Sequence, residues 1–418
     1  MLDLFPDTAA VENGELTLGG LRTETLAERF GTPLLVYCEA TLRTQARALS
    51  KAADGALLVY GAKAFPNVAL MRLLAEEGIG ADVSSLGELA FARAAGIEGP
   101  QLVMHGNNKS DEELAAAAAA GALVVLDALD EPERAAAAGV KRVLVRVNPD
   151  VDADTHVAIR TGHYGAKFGL AADDALTAVA AARAAGLEVL GLHVHVGSLL
   201  DDARAHLAAV EQIAELALRC REAIDWIPAL VDIGGGFGIR HVESEPDPPV
   251  PELIRAVAGA VSRAWVMRGL APPALALEPG RSLVGRAGVT LYRVGAVKRQ
   301  RDRVFASIDG GMSDNPRPQL YSALYTALSA GRAAQDADED VTIAGKHCES
   351  GDVLIERVAL PAPRRGDLLA IPATGAYTLA MSSNYNGVPR PAAVLVVGGE
   401  AREIRRRETV DDLLAREI

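Results

Sequence analysis

Cysteine is scarce in this chain, with only Cys38, Cys220 and Cys348 among 418 residues. They are odd in number, far apart, and lack both the close spacing of a metal site and the density of a disulfide scaffold. Reduced thiols in a cytoplasm are therefore expected. A leader pattern is also missing: MLDLFPDTAAVENGEL is acidic and has neither a basic start nor a continuous apolar stretch, so the chain reads as soluble and unexported. No later segment runs 18 residues without polar interruption, which argues against a membrane partner. Positive charge is short as well: 42 Lys and Arg stand against 55 Asp and Glu, a formal net charge of -13. Clustered cations neutralise phosphates in nucleic-acid binding, so a nucleic-acid partner is disfavoured and a small-molecule ligand favoured.

What the chain does have is length for more than one core, with half its residues hydrophobic, and two domains are expected. From about residue 56 one pattern recurs: a short β-branched apolar run ending in Gly or polar residues, then an Ala/Leu-rich helical stretch closed by Gly. The runs are ALLVYGAKA, GADVSS, QLVMHG, ALVVLD, RVLVRVNP, VLGLHVHVG, ALVDIGGG and ALALEPGR. Their polar ends at Lys63, Asp82, His105, Asp127 and Asn148 are separated by 19, 23, 22 and 21 residues. That is room for one strand of about 5 residues, one helix of about 11 and two tight turns. Later ends, at His195, Gly234 and Glu278, are further apart and need longer loops. IRHVESEPDPPV, acidic and rich in proline, reads as a surface excursion.

Eight such units predict a parallel (β/α)₈ barrel, which delivers functional side chains from the C-terminal ends of its strands. An open doubly wound sheet is the competitor, but Tyr60-Gly61-Ala62-Lys63 is not the glycine-rich fingerprint it requires after its first strand. After Arg281 the pattern turns β-rich, with VTLYRVGAV, RVFASID, VTIAG, DVLIERVAL, DLLAIPA and AAVLVVGG. The expected division is a barrel over 33–281, with 1–32 and 282–418 forming a mostly β domain that GELTLGG joins.

Several residues at the strand ends carry chemistry. Lys63 follows an apolar run, where a desolvated amine is a competent Schiff-base nucleophile; the alternative is a lysine snorkelling to the rim. His193 and His195 lie two apart and share one face of a strand, looking at a ligand or paired in the core. Gly234, Gly235 and Gly236 end a strand where bare amides can converge on phosphate, or form a plain tight turn. EPGRS puts Glu278, Pro279, Gly280 and Arg281 at the end of the eighth run, for ligand contact or for salt-bridge closure of the barrel.

Together, the Tyr-Gly-Ala-Lys ending at Lys63, ADVSSLGEL, HGNNKS, HVGS, GGGFG, EPGRS, IDGGMSDNPRPQLY, GKHCESGD and GAYTLAMSSNYN resemble the ordered motifs of the diaminopimelate decarboxylases. The match runs from about residue 30 to RRETVDDLL. This family belongs to the alanine-racemase-like fold group that also contains ornithine and arginine decarboxylases. The resemblance implies pyridoxal 5'-phosphate as cofactor and decarboxylation of meso-2,6-diaminopimelate to lysine. It implies that Lys63 bonds the cofactor through its amine and that Glu278 keeps the pyridine nitrogen protonated. His195 would stack on the ring, while Ser198, the backbone of Gly235 and Gly236, and Tyr377 cradle the phosphate. Pro279, Gly280 and Arg281 flank the cofactor. Asp82 lines the cofactor site in the family; a helix N-cap role for it or a neighbour is the alternative. Cys348 matches the cysteine that supplies the final proton, a role a thiol can play near neutrality. In the family its loop reaches into the neighbouring subunit's site, which implies a homodimer with shared sites.

The implied substrate ends in a whole amino acid, so it needs a cation for the distal carboxylate and an anion for the distal ammonium. By the same resemblance Arg281, Arg317 and Tyr321 meet the carboxylate, Glu349 meets the ammonium, and Tyr377 also lines the substrate site. An ornithine-type site lacks the Arg-Pro-x-Leu-Tyr element of Arg317 to Tyr321. Two departures stand out: Gly387-Val388 precedes Pro389-Arg390-Pro391 where Ser-Arg is usual, which puts a peripheral arginine contact in doubt, and Cys38 replaces an acidic residue. A racemase of the same fold and a catalytically silent homologue are the rival readings. Cys348 argues against the first, and the presence of Lys63, His195, Glu278 and Cys348 against the second.

Overall fold

The computed structural model describes residues 1–149 and 166–418. Eight parallel strands close into a barrel: Leu57–Gly61, Gly80–Val83, Leu102–Met104, Leu123–Leu126, Arg142–Arg146, Glu188–His193, Leu230–Asp232 and Ala274–Leu277. All eight predicted runs form these strands in sequence order. The eighth closes on the first, with Ala276 beside Leu57 and Leu277 beside Leu58. The strands read as near-continuous apolar runs because both of their faces are covered. Val59, Val103, Leu123, Val125 and Leu144 form one buried cluster along them. Two strand glycines are steric necessities: a Cβ on Gly80 would lie 2.0 Å from the Gln101 carbonyl oxygen, and one on Gly191 would lie 1.6 Å from that of Leu230.

Helices Val68–Glu76, Leu86–Ala94 and Asp111–Ala119 follow the first three strands, each started by a side-chain cap. Asn67 accepts from the amides of Ala69 and Leu70, Ser85 from Glu88, and Ser110 forms a reciprocal capping box with Glu113. Each cap satisfies amides that an isolated first turn leaves unpaired. The later strands lead to helices Glu131–Ala137, Ala172–Ala184, Arg204–Ile224, Val250–Met267 and the short Arg281–Val284. Among the described residues no helix is long and apolar enough to cross a membrane.

The second compact unit comprises 1–44, 239–246 and 283–418. Its organiser is the 13-residue strand Gly288–Gln300, which pairs antiparallel with Leu34–Cys38, Arg303–Ile308 and Leu368–Ile371. Leu34–Cys38 also pairs in parallel with Ala392–Val397. The strand Glu15–Leu18 is the middle of a separate three-stranded sheet, and Leu16 and Leu18 share a buried core with Leu34, Val36, Val289, Leu291 and Val394.

The division departs from the expected one at two places. Leu34–Cys38 falls in the range expected for the barrel, yet its five buried residues hydrogen-bond to the β-rich unit, and the barrel unit begins at Gln45. The segment Ile239–Pro246, expected as a surface excursion, belongs to the β unit and buries His241 to 3% exposure. His241 is shielded because its Nε2 accepts from Arg317 Nη1 at 3.2 Å, while Glu245 accepts from its backbone amide at 2.7 Å.

Candidate active site

The C-terminal ends of the barrel strands gather ionisable side chains. Lys63, two residues past the first strand, places Nζ 2.5 Å from Asp82 Oδ2, which the second strand holds almost fully buried. Asp82 is therefore the lysine's counter-charge, and Ser85 serves as the helix cap. Just past the third strand, His105 Nε2 lies 2.6 Å from Glu278 Oε1 and 3.6 Å from Asp82 Oδ1. His193, ending the sixth strand, lies 3.5 Å from the same Glu278 oxygen, and the two imidazoles meet edge to face at 4.8 Å between centroids.

This geometry sets the charge on each group. Burial pushes Glu278 upward, but His105 and His193 together hold its carboxylate well below the usual range. Its neighbour Asp232, ending the seventh strand, is driven well above its usual value by burial and by the adjacent Glu278. Burial pushes His193 down to about 4 against the pull of Glu278. Two carboxylates side by side in a low-dielectric site cannot both stay charged cheaply, so Glu278 holds the negative charge and Asp232 the proton. His105, His193, Asp232 and Glu278 have donor atoms within 4.8 Å of one another. The 2.6 Å contact between His105 Nε2 and Glu278 Oε1 is nevertheless too short for two ligands of one cation. Two ligands at about 2.1 Å on one tetrahedral cation stand about 3.4 Å apart. Glu278 Oε1 lies off the line of a hydrogen bond and is a buried acceptor without an aligned donor.

His195 is held by the glycine turn. The Gly235 amide donates to its Nδ1 at 3.2 Å, which leaves the ring proton on Nε2. Burial first, then the charges of Lys63 and Arg146, push His195 well below its usual value, so the ring is neutral. The Gly235 amide is thus engaged with imidazole, a role the sequence reading did not foresee. Gly234 and Gly236 have φ of +71 and +94, and a Cβ on Gly236 would meet the Gly197 carbonyl oxygen at 2.3 Å. The Gly235 carbonyl accepts from His206 Nε2 at 2.8 Å, and that ring stacks on Phe237. Ser198 is half-buried on the segment before this turn. Pro279 accepts from the Gly61 amide at 3.2 Å. Gly280 is packed so closely that a Cβ on Gly61 would touch its Cα at 3.6 Å. Arg281 is buried at the start of its short helix.

The β unit carries the other expected residues. Cys348 and Glu349 are exposed on one loop, where the Cys348 amide donates to Asn386 Oδ1 at 2.8 Å. Tyr377 is half-buried at φ +61, a region that is costly for a bulky residue. Tyr321 is half-buried at the end of helix Arg317–Tyr321. Arg317 is only 1% exposed; its Nη1 donates to Tyr325 Oη and to His241 Nε2. Among the described residues no carboxylate lies within ion-pair distance of it. Arg390, the arginine of the divergent stretch, donates to Glu408 Oε1 at 2.8 Å and to Ser382 Oγ at 3.1 Å, and so ties two loops together. Cys38 is buried with its sulfur 3.0 Å from Thr8 Oγ1.

The sequence reading passed over Asp232 and Arg146. Both end strands and both are buried, Arg146 facing Asp127 at 3.5 Å and the Phe168 ring at 4.5 Å. Their signal was a charged residue closing an apolar run, but the more conspicuous Gly triplet and Asn148 drew the strand ends two residues too far.

The pattern of the family described as pyridoxal-dependent decarboxylase, pyridoxal binding domain, matches residues 39–285. The diaminopimelate decarboxylase of Actinosynnema pretiosum subsp. auranticum is 45% identical over 99% of this chain and 95% of its own. That of Bacillus subtilis is 40% identical over 96% and 95%. The crystal structure of the M. jannaschii diaminopimelate decarboxylase in complex with L-lysine superposes with a TM-score of 0.91 at 32% identity, covering 99% of this chain and 98% of that one. A closed barrel that ends in a lysine, a histidine-flanked glutamate and a glycine turn, together with these likenesses, shows that the chain belongs to the diaminopimelate decarboxylase family of pyridoxal-dependent decarboxylases.

Proposed function

We propose that the chain converts meso-2,6-diaminopimelate to L-lysine and CO₂, with Lys63 and Glu278 as the two poles of its cofactor site. One observation carries this reading: the first and eighth strands are neighbours in the barrel, so an amine and an ionised carboxylate emerge side by side at the end where barrel enzymes work. The residues fit pyridoxal phosphate, since the buried Glu278 oxygen without an aligned donor suits the N–H of a cationic pyridine. That cofactor, when bound, draws the electron pair of the breaking Cα–carboxylate bond into its ring.

The chain's own residues do the rest. Lys63 would hold the cofactor through its amine, and Asp82, 2.5 Å from Nζ, balances the charge of the free ammonium. Glu278 keeps its charge because two histidines flank it, so it holds the ring nitrogen's proton through a charge-assisted contact. His195, neutral and fixed by Gly235, would offer its flat face to the ring. Gly236, Ser198 and Tyr377 would hold the phosphate, with Pro279, Gly280 and Arg281 alongside. Cys348 Sγ gives its proton to the carbon that has lost CO₂. Arg281, Arg317 and Tyr321 receive the distal carboxylate and Glu349 the distal ammonium. The absence of a carboxylate partner for Arg317 among the described residues leaves its charge available for that carboxylate. The family resemblance supports a homodimer whose Cys348 loops serve the partner's site, and three free cysteines accord with a reducing cytoplasm.

The test is CO₂ release from meso-diaminopimelate, L-lysine, L-ornithine and L-arginine by the native chain and by Lys63→Ala. Release from diaminopimelate alone is expected, and the variant loses both release and the visible absorption of the lysine-bound cofactor. A Lys63→Ala chain that still fixed the cofactor on borohydride reduction with unchanged stoichiometry would overturn the assignment.

A further inference from the structure

The loop that carries Cys348 is clamped at its base by a buried pair that the reaction chemistry does not use. Asp352 is 3% exposed and works on three donors. Its Oδ1 accepts from the Met312 amide at 2.7 Å, and its Oδ2 accepts from the His347 amide at 2.9 Å and from His347 Nδ1 at 2.7 Å. The fit leaves no room for adjustment: a Cβ on Gly345 would lie 2.0 Å from Asp352 Oδ2, and one on Gly311 would lie 2.5 Å from it. The backbone repeats the closure, with Gly345 donating to the Asp352 carbonyl at 2.8 Å and Asp352 to that of Glu349 at 3.1 Å. The His347 ring stacks near-parallel on Tyr385 at 5.9 Å between centroids. Cys348 is the next residue after this anchored histidine, and its own amide is fixed to Asn386 Oδ1 at 2.8 Å. The thiol is thus the exposed tip of a loop whose stem is rigid.

We propose that His347, locked by Asp352, is a positioning residue for the Cys348 thiol. The proposal rests on the reading of Cys348 as proton donor. A proton donor must stand within hydrogen-bond reach of the receiving carbon, and a misplacement of about 1 Å can cost on the order of 100-fold in rate. An exposed side chain on an unsupported loop samples wider displacements than that. His347 cannot itself be the donor in this arrangement, because Nδ1 is committed to Asp352 and Nε2 is a buried atom without a hydrogen-bond partner. What it supplies is a fixed φ/ψ and direction for the residue that follows.

The test compares His347→Phe, His347→Asn and Cys348→Ala in the holoenzyme. Phe keeps a flat ring against Tyr385 and removes the bond to Asp352; Asn carries an amide nitrogen at the same distance from Cβ as Nδ1 and can restore it. For His347→Phe kcat with meso-diaminopimelate falls about 10-fold or more, KM stays within about 2-fold and the cofactor's visible band is unchanged, while His347→Asn recovers most of kcat. Normal kcat in His347→Phe beside a large loss in Cys348→Ala overturns the positioning role and leaves the donor role standing. Equal losses in Phe and Asn also overturn it, because the Nδ1 bond would then not matter. Normal kcat in Cys348→Ala overturns the donor reading and this inference with it. Should His347→Phe fail to fold, Asn386→Ala releases the loop from its other anchor. A drop in kcat at constant KM is again expected, and an unchanged kcat overturns the proposal.

Discussion

Lys109, the lysine of HGNNKS, is 1% exposed, and its neighbour Glu131 is 2% exposed. Nζ lies 2.9 Å from Glu131 Oε1 and donates to the carbonyls of Gly106 and Val125 at 2.6 and 2.7 Å. Glu131 Oε2 in turn accepts from the amides of Asp127 and Ala128 at 2.5 and 3.3 Å. The pair sits behind the strand ends that present His105 and Asp127. Burial pushes the Lys109 ammonium down and Glu131 pulls it back, so each charge depends on the other. Lys109→Met preserves the length of the side chain but strands the Glu131 carboxylate in a site without solvent. Breaking a buried pair in this way costs about 3–5 kcal/mol, and two carbonyls losing their donor add to that.

Adding Glu131→Gln removes the stranded charge and keeps an oxygen for the Asp127 and Ala128 amides, so the double variant regains about 2 kcal/mol of the loss. Both tryptophans, Trp226 and Trp265, lie in the barrel unit, so their fluorescence during urea unfolding reports on that unit without interference from the other. A Lys109→Met barrel that loses less than about 1 kcal/mol, or a double variant no better than the single, would refute the reasoning.

Two further outcomes follow from other parts of the chain. Asp314 is buried, accepts from the Gly311 amide at 2.8 Å and from Tyr292 Oη, and burial raises its carboxyl to about 7 despite the Tyr292 bond. A folded value above the unfolded one means that the native state binds the extra proton. Its stabilisation is full below pH ~4 and fades as pH rises through ~7, by on the order of 2–4 kcal/mol. Asp314→Asn flattens that part of the stability-versus-pH curve, and an identical slope in native and variant chains would contradict the sign. For the proposed shared site, mixing inactive Lys63→Ala and Cys348→Ala subunits restores part of the activity, because one site of each mixed dimer would be intact. No recovery after verified subunit exchange counts against it.

The barrel was legible because its signal is local: each strand is a short apolar run, and the first three helices begin at caps such as Ser110 with Glu113 three residues on. The boundary at residue 33 was not, because Leu34–Cys38 has the same composition as the barrel strands, and its partners begin at Gly288 and Ala392. Pairing across that separation is set by tertiary packing, on which the local pattern is silent. His241 was hidden for the opposite reason. Its flanks are charged and proline-rich, yet the histidine turns inward to Arg317 while Arg240 turns outward to Asp3. Asp352 shows a third kind of gap: GKHCESGD identifies the thiol, but that its last residue grips its third is visible only when the loop is closed.

The two units solve the same problem in different ways. At the barrel end, charges are held in place by one another: Lys63 with Asp82, Lys109 with Glu131, and Arg146 with Asp127. Such pairing offsets the large cost of burial and adds little net stability, so the gain lies in fixed direction. Strand ends of a closed barrel are rigid enough to keep a carboxylate ionised where solvent would otherwise relax it. In the β unit the functional groups ride on turns, and rigidity there comes from backbone geometry and caps, with Tyr377 at φ +61 and Cys348 between His347 and Asn386. A group that only accepts charge can be fixed by other charges. The Cys348 loop is thus held through its backbone amide and the neighbouring His347, while Glu278 is contacted through its own side-chain oxygen.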